Sequence, residues 1–145
     1  MGNKSVKASS PGFLWRLYGS ASRPLAGILP LLAPFSPKLA AGLAGREGLD
    51  ARLAALAGKI AGGVWFHVTS VGEYEQARPV IAALKDGPAA PPVVVTHFSP
   101  SGFEFARKQP CADAHEYLPF DTPAAMTRLM RLWRPRLLVF VKFDC

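Results

Sequence analysis

Short apolar runs alternate with helix-like patterns along the second half of the chain. Four runs, VWFHVTS, VVVTHF, AHEYLPF and RLLVFVKF, are hydrophobic at most positions. The segments between them carry apolar residues at helical spacing, as in the stretch from Glu75 to Lys85. Strands that are apolar on both faces and alternate with helices are typical of a parallel sheet with both faces covered. The pattern therefore predicts a doubly wound α/β lobe over residues 63–145.

The expected strand order decides where a ligand would bind. Right-handed crossovers and a Rossmann-like order, 3-2-1-4, make the first and fourth strands neighbours at the point where the winding reverses. Ligands of such sheets bind beyond the carboxyl ends of the strands at this point. Two segments face the predicted crevice, Ser70–Glu73 and Lys142–Cys145.

Residue types at the helix ends predict where the helices begin and stop. In the segment GLDARLAALAGKIAG, Asp50 is a candidate N-cap, and Gly62 and Gly63 form the stop signal. Thr122 followed by Pro123 is a well-formed start for the last helix.

The first 62 residues are rich in apolar side chains but are interrupted by positive charges. The longest uncharged run near the start, Pro24–Pro37, has 14 residues, fewer than the ~20 that a membrane-spanning helix needs. We expect a disordered tail at 1–11 and a helical, membrane-proximal segment at 12–62. This segment is either an interfacial membrane anchor or packs on its own lobe or another one. The anchor would insert or present Phe13, Trp15, Arg16, Tyr18 and Arg23, with Lys38 and Arg46 also meeting anionic lipid.

Charge is unevenly distributed along the chain. There are 17 Lys and Arg against 10 Asp and Glu, and residues 1–62 hold eight of the basic side chains but two of the acidic ones. This asymmetry suggests an anionic partner, either lipid or nucleic acid. Nucleic acid is disfavoured because the row Arg128, Arg131 and Arg134 is expected on the solvated face of a helix whose aromatic residue, Trp133, lies on the opposite, apolar side. Two distant cysteines without a CxxC pattern indicate a reducing compartment and no structural metal.

Glu73 is the main candidate for chemistry, although it also has a structural explanation. Ser-x-x-Glu at a strand-to-helix junction is a capping box, in which Ser70 bonds the N3 amide and Glu73 bonds the N-cap amide. The same spacing recurs at Ser101–Glu104. A catalytic role stays open, because Gly72 lets a ligand approach closely and partial burial would raise the pKa of Glu73 towards that of a general base. The chain has no GxGxxG turn after the first strand and no P-loop pattern.

The histidines and the segment after the second strand give weaker candidates. His67 lies inside the first strand and is expected to be a hydrogen-bonded interior residue. His97 ends the second strand, and we expect it at the edge of the crevice as a polar contact to substrate. Ser99, Ser101 and Gly102 are candidates for the same role.

Four segments together resemble one enzyme family. LAGREG, HVTSVGE, VVVTHFSPSGFEFARK and YLPFDTPAAMTRLMRLWRPRLLVFVKFD are similar, in order and spacing, to the N-terminal domain of bacterial 3-deoxy-D-manno-octulosonic acid (Kdo) transferases. The resemblance covers roughly Phe13 to Cys145. Its most specific parts are SVGE and YLPFD with Pro123 after it.

The resemblance implies a GT-B glycosyltransferase that works without metal or cofactor and moves Kdo from CMP-Kdo onto a lipid A precursor. It implies a position at the cytoplasmic face of the inner membrane, on an anionic surface, with the acceptor in this N-terminal lobe. By the resemblance, Glu73 is the general base. Where many members read Glu-Thr-Glu-Leu-Trp-Pro-Asn, this chain has Lys142–Cys145. Lys142 thus occupies the position of an acidic residue used in stabilising the transition state, and Asp144 keeps the second acid.

The resemblance also implies a missing partner. The C-terminal donor lobe, which holds CMP-Kdo in this family, is absent from the sequence, so we expect the isolated chain to be a fragment that transfers nothing alone. Two other hypotheses stay open. One is a catalytically inactive membrane-surface binding module with the same fold, and the other is a small nucleotide-binding domain of another kind.

Overall fold

The computed structural model describes residue 31 and residues 33–142. Strands and helices alternate through most of this part of the chain. The elements are, in order, a 3-10 helix at Ala33–Phe35, α1 at Pro37–Ala44, α2 at Leu49–Ile60, β1 at Val64–Val68, α3 at Val71–Lys85, β2 at Val93–His97, α4 at Pro100–Lys108, β3 at Ala114–Tyr117, α5 at Pro123–Trp133 and β4 at Leu137–Phe140. All four predicted strands are present, and α3 begins at Val71 instead of the expected Glu75.

The four strands form one parallel sheet in the order β3-β2-β1-β4, as predicted. In this sheet Val64 of β1 lies opposite both Val93 of β2 and Leu137 of β4. Every residue of β1 and β2 is buried, because helices cover both faces of the central strands. At the β4 edge, Leu137 and Phe140 are 52% and 68% exposed. The predicted α/β fold with a parallel sheet flanked by helices is confirmed.

Two hydrophobic clusters fix the helices to the sheet. On one face, α2 and α5 pack over Trp65, which meets Trp133 edge-to-face with ring centroids 5.1 Å apart. The Trp133 indole also donates to the Leu53 carbonyl at 3.0 Å. On the other face, α3 and α4 pack over Phe66 through residues that include Ile81. Burying each such large side chain contributes about 1.5–3 kcal/mol to stability.

Two helix starts differ from the sequence predictions. α2 begins after Gly48, which has a left-handed φ of 63° and makes no side-chain cap. Asp50, the predicted N-cap, lies inside the first turn and pairs with an arginine of α5, so that prediction is wrong. α4 begins after Ser99, whose hydroxyl accepts from the Gly102 amide at 3.1 Å. Ser101 is therefore not an N-cap, and the second predicted capping box is wrong, because a proline fits the first helical position directly after Ser99.

The two other helices that follow strands have the N-cap residues that the sequence indicates, Ser70 and Thr122. The Ser70 hydroxyl accepts from the Glu73 amide at 3.2 Å, and the Thr122 hydroxyl accepts from the Ala125 amide at 3.2 Å. The predicted start of α5 is confirmed. Because α3, α4 and α5 each follow a parallel strand, their N-terminal ends, which carry partial positive charge, all lie at the carboxyl edge of the sheet.

The first part of the predicted membrane-proximal segment, residues 12–30 and residue 32, lies outside the described residues. In the part that is described, α2 packs on the sheet with Leu49, Leu53 and Ile60 in the core, although it precedes the predicted lobe boundary at residue 63. Within residues 33–142, no helix has both the length and the apolar character to cross a bilayer. Outside the described residues lie the tail 1–11 and the candidate membrane contacts Phe13, Trp15, Arg16, Tyr18 and Arg23.

Candidate functional site

A cavity of about 470 Å³ opens at the carboxyl edge of the sheet, beside α1. Its wall comes from α1 and from the segments that follow β1, β2 and β3, whereas the predicted crevice lay between β1 and β4. α1 packs over this side of the edge and forms one wall of the cavity. Leu39, Phe98, Pro100 and Phe120 form the apolar part of the wall, and Ser36, Lys38, Arg46, Thr69 and Ser99 bring hydroxyl and basic groups.

The Glu73 carboxylate is held at this edge by the turn between β1 and α3. Its Oε2 atom accepts from the Thr69 amide at 2.5 Å and from the Thr69 hydroxyl at 2.8 Å. The capping interaction thus reaches one residue further back than the predicted partner, Ser70. Glu73 is 8% exposed, and Thr69 lines the cavity. The carboxylate is therefore buried one hydrogen bond away from the cavity wall, so its capping role and a chemical role use the same position.

Ser70 and Gly72 lie on the exposed side of the same turn. A methyl group added at Gly72 would meet no atom of the described residues within 4 Å. The approach to the turn from solvent is therefore open at the point where the sequence predicted close access for a ligand.

Lys142 follows β4 and reaches the same edge of the sheet. The preceding residue, Val141, donates its amide to the His67 carbonyl at 3.0 Å, which fixes the end of β4 beside the end of β1. Lys142 is exposed. The structure thus brings Lys142 and the Glu73 turn to neighbouring strand ends, while Asp144 lies outside the described residues.

His67 is a hydrogen-bonded interior residue, as predicted. Its Nδ1 atom lies 3.2 Å from the Thr96 carbonyl oxygen and 3.0 Å from the Thr96 hydroxyl. A carbonyl oxygen can only accept, so Nδ1 carries the proton. Burial lowers the pKa of His67 and so disfavours its charged form.

His97 does not lie at the edge of the cavity. Its ring is fully buried beneath α3 and α4, with Nε2 3.2 Å from Nδ1 of His115 and the Tyr74 ring edge-on at 5.4 Å between centroids. The expected placement is wrong because the last residue of β2 points into the apolar cluster under these helices, in the same direction as Val95. Burial lowers the pKa of His97 to about 3.

The three other candidates from this segment lie in different surroundings. Ser99 lines the cavity while it caps α4. Ser101 is exposed, with its hydroxyl 3.4 Å from that of Ser99. Gly102 is buried, and an added Cβ would stand 2.9 Å from the Ser99 hydroxyl and 3.5 Å from the Ser70 carbonyl carbon. The missing side chain at Gly102 therefore allows α4 to pack against the Glu73 turn and does not open a path for ligand.

Sequence reasoning assigned Arg46 to lipid, but the structure makes it part of the cavity. Its guanidinium donates to the carbonyls of Gly42, Phe98 and Leu118 and contacts three aromatic rings. These bonds join α1 to the ends of β2 and β3. The expected contact of Arg46 with anionic lipid stays a prediction, and these bonds show how the lobe holds its guanidinium. The LAGREG segment, one of those that resemble the family, drew attention to Arg46. The carbonyls of Phe98 and Leu118 that it binds, however, are 52 and 72 residues away in sequence.

These features define an α/β lobe with a cavity at the carboxyl edge of a parallel sheet, which is where such sheets commonly bind ligands. Over residues 42–145, the chain matches the family described as 3-deoxy-D-manno-octulosonic-acid transferase (kdotransferase). The chain belongs to this family, and its matched region corresponds to the N-terminal domain. The resemblance seen in the sequence motifs is confirmed.

Three similar proteins illustrate how much of a relative this chain covers. The Arabidopsis thaliana protein named "Probable 3-deoxy-D-manno-octulosonic acid transferase, mitochondrial" is 31% identical over 80 residues, which is 54% of this chain and 18% of that protein. The 3-deoxy-D-manno-octulosonic acid transferase of Aquifex aeolicus (strain VF5) is 30% identical over 82 residues, 56% of this chain and 22% of that enzyme. The Haemophilus influenzae enzyme of the same name is 30% identical over 84 residues, 57% of this chain and 19% of that enzyme. The chain therefore spans about a fifth of the length of these relatives.

Proposed function

We propose that this chain is the acceptor-binding lobe of a GT-B glycosyltransferase that transfers Kdo from CMP-Kdo to a lipid A precursor in lipopolysaccharide biosynthesis. Membership of the Kdo transferase family carries the proposal. A cavity at the carboxyl edge of the sheet, with a carboxylate beside it, supports it. CMP-Kdo would be held mainly by a separate C-terminal lobe, and the proposed reaction uses no resident metal or cofactor.

Glu73 is the proposed general base. The acceptor hydroxyl gives its proton to the Glu73 carboxylate while its oxygen forms a bond to the anomeric carbon of Kdo. The bond from that carbon to the phosphate oxygen of CMP breaks, CMP leaves with the electron pair, and the configuration at the carbon inverts. An acceptor hydroxyl entering past Gly72 can replace the Thr69 hydroxyl on the carboxylate, while the Thr69 amide keeps the carboxylate in place.

Lys142 is proposed to balance charge in the same reaction. The leaving CMP and the Kdo carboxylate are both anionic, and a lysine at the carboxyl edge of the sheet would stabilise this charge. Its exposed position leaves it accessible to a donor bound on a facing lobe.

A membrane surface is the proposed location of the lobe, at the cytoplasmic face of the inner membrane. Phe35, which is 85% exposed, directly precedes the cavity residue Ser36, and Phe98, 53% exposed, lines the cavity together with the exposed Lys38. Exposed aromatic rings beside a cation suit the boundary of an anionic bilayer. We expect the chain to sediment with anionic liposomes and to dissociate as salt rises. Absence of binding at every salt concentration would remove the membrane from the proposal.

The catalytic proposal is tested by supplying the C-terminal lobe of a relative in trans and measuring release of CMP. We expect Glu73→Gln to lower turnover by about 10²–10⁴-fold, the usual contribution of a general base. Glu104→Gln is the matched control, because Glu104 lies near the start of α4, is exposed and pairs with Arg107. Full turnover in Glu73→Gln would contradict the assignment of the base.

One observation favours a second candidate, a catalytically inactive membrane-surface binding module. The Glu73 carboxylate already accepts two hydrogen bonds from Thr69, which is what a purely structural cap requires. Such a module would bind the lipid A precursor and anionic vesicles but would release no CMP with any donor lobe. Persistent inactivity together with intact lipid binding would favour this candidate.

A further inference from the structure

Arg46 places a positive charge in the cavity wall, and no carboxylate of the described residues forms an ion pair with it. Four other arginines, Arg52, Arg78, Arg107 and Arg128, each pair with a carboxylate. Arg46 is half-buried, and within residues 33–142 it forms no ion pair. Its burial also lowers its pKa. A cation removed from water is costly unless an opposite charge compensates it, so this position favours an anionic ligand.

The geometry of Arg46 is fixed before any ligand arrives. Nε donates to the Leu118 carbonyl at 2.8 Å, Nη1 to the Gly42 carbonyl at 2.8 Å and Nη2 to the Phe98 carbonyl at 3.1 Å. A guanidinium has five N–H donors, so the bonds formed within residues 33–142 leave two of them for a ligand. The guanidinium carbon also lies 4.9–5.3 Å from the centres of three aromatic rings, which belong to Phe98, Tyr117 and Phe120.

The rest of the cavity suits an amphiphilic ligand. Lys38 adds a second positive charge to the lining, and the hydroxyl groups of Ser36 and Thr69 add polar contacts. The rings of Phe98 and Phe120 form an apolar wall next to these groups. Arginine forks match the oxygen geometry of phosphate, and lysine contributes as a point charge.

We propose that the cavity beside α1 binds the phosphate group of an amphiphilic phospholipid-like ligand, with Arg46 and Lys38 on the phosphate and the aromatic wall on the adjoining apolar part. This rests on the proposed function, because it assigns the anionic end of the acceptor to this cavity. It goes further in naming the residues that would distinguish a phosphorylated acceptor from a dephosphorylated one. Arg46 contacts the phosphate directly, and its hydrogen bonds to backbone carbonyls orient the guanidinium.

The test measures binding of three probes to the full chain by titration calorimetry: the lipid A precursor in detergent, the same lipid after enzymatic dephosphorylation, and inorganic phosphate. The variants are Arg46→Gln and Lys38→Gln. Arg52→Gln is the matched control, because Arg52 also donates to two backbone carbonyls near the end of α1, those of Gly45 and Glu47, but its charge is paired with Glu116 and it lies outside the cavity. Circular dichroism confirms that each variant is folded.

We expect the phosphorylated lipid to bind at least about tenfold more tightly than the dephosphorylated one, as charged hydrogen bonds to a phosphate would give. Arg46→Gln should remove this difference, Lys38→Gln should reduce it, and Arg52→Gln should leave it unchanged. If Arg46→Gln weakens both lipids equally, Arg46 only supports the wall and the anion site is overturned, while the acceptor cleft stands. If inorganic phosphate binds through Arg46 but neither lipid binds, the anion site stands and the proposed acceptor function fails. If no probe depends on Arg46, the anion site is also overturned.

Discussion

Acid should destabilise this lobe through a buried histidine pair. The rings of His97 and His115 lie beneath α3 with Nε2 of one 3.2 Å from Nδ1 of the other, and the outer nitrogen of each ring has no hydrogen-bond partner within the described residues. Burial lowers the pKa of His97 to about 3, with the neighbouring histidines adding to the effect, and burial lowers that of His115 to about 4. Tyr74 contacts both rings, but burial raises its pKa, so it remains neutral in this range.

Acid destabilises the lobe if the unfolded chain binds protons at a higher pH than the folded chain does. In the unfolded chain a histidine has a pKa of about 6.5, so the unfolded state takes up protons before the folded state does. Above pH 6.5 the histidine pair is mostly neutral in both states and does not lower the free energy of unfolding. As the pH falls from 6.5 towards 4, the unfolded state binds protons that the folded state does not, so the free energy of unfolding decreases. By linkage, lowering the pH from 7 to 5 costs about 2 kcal/mol for each imidazole, or about 4 kcal/mol for both. That is a large share of the roughly 5–15 kcal/mol by which a domain of this kind is stable.

Urea unfolding at pH 7, 6 and 5, followed by circular dichroism, measures this loss. We expect the free energy of unfolding to fall steeply with pH in the natural chain and much less in a double variant, His97→Gln with His115→Gln. The control is His67→Gln, which removes a buried histidine on the opposite face of the sheet and should keep most of the slope. An equal pH dependence in the double variant and the natural chain would refute the reasoning, because the pair would then not be the source of the proton uptake.

Three glycine substitutions test how closely the elements pack. Gly63→Ala would place a Cβ 2.2 Å from the Pro92 carbonyl oxygen, so we expect a loss of about 3 kcal/mol or more in urea unfolding. Gly58→Ala is its control, since the added methyl meets no atom within 4 Å inside α2 and should stabilise by about 0.5–1 kcal/mol. Gly45→Ala would place a Cβ 2.5 Å from the Tyr117 ring, so we expect a loss of about 1–3 kcal/mol and faster proteolysis of α1 than in the natural chain. Unchanged stability in Gly63→Ala or Gly45→Ala would show that the packing at that contact is looser than described.

The sheet could be predicted from the sequence because its signals are local. Apolar runs such as those starting at Val64 and Val93 are buried on both faces only in a covered parallel sheet, and the right-handed crossover rule then orders the strands. Thr122 with its following proline marked the start of α5 for the same reason, since capping depends on residues within one turn.

The errors concern features that depend on distant parts of the chain. Asp50 has the side chain of an N-cap, but Gly48 begins the helix and Asp50 pairs with α5 instead. The burial of His97 depends on how α3 and α4 close over the end of β2. Arg46 bonds residues after β2 and β3, so its place in the cavity wall was not visible from the N-terminal region alone. Each of these positions is decided by tertiary packing and not by local pattern.

The position of Glu73 depends both on local sequence pattern and on tertiary packing. The Ser-x-x-Glu spacing predicted a cap, and the structure has one, although the carboxylate bonds Thr69 instead of the amide of Ser70. That shift matters for function, because Thr69 belongs to the cavity wall. The same contact that stabilises the start of α3 thus places a carboxylate one hydrogen bond from the cavity wall, which is the position that the proposed base role requires.

A crystal structure of the chain with the lipid A precursor bound would test the central claim most directly, through the distance from the acceptor hydroxyl to the carboxylate of Glu73. We predict an oxygen-to-oxygen distance of about 2.6–3.2 Å, as proton transfer to a general base requires, with the bond from the Thr69 hydroxyl to Glu73 broken. A lipid bound elsewhere, with both bonds from Thr69 intact, would contradict the proposal that this carboxylate takes the proton.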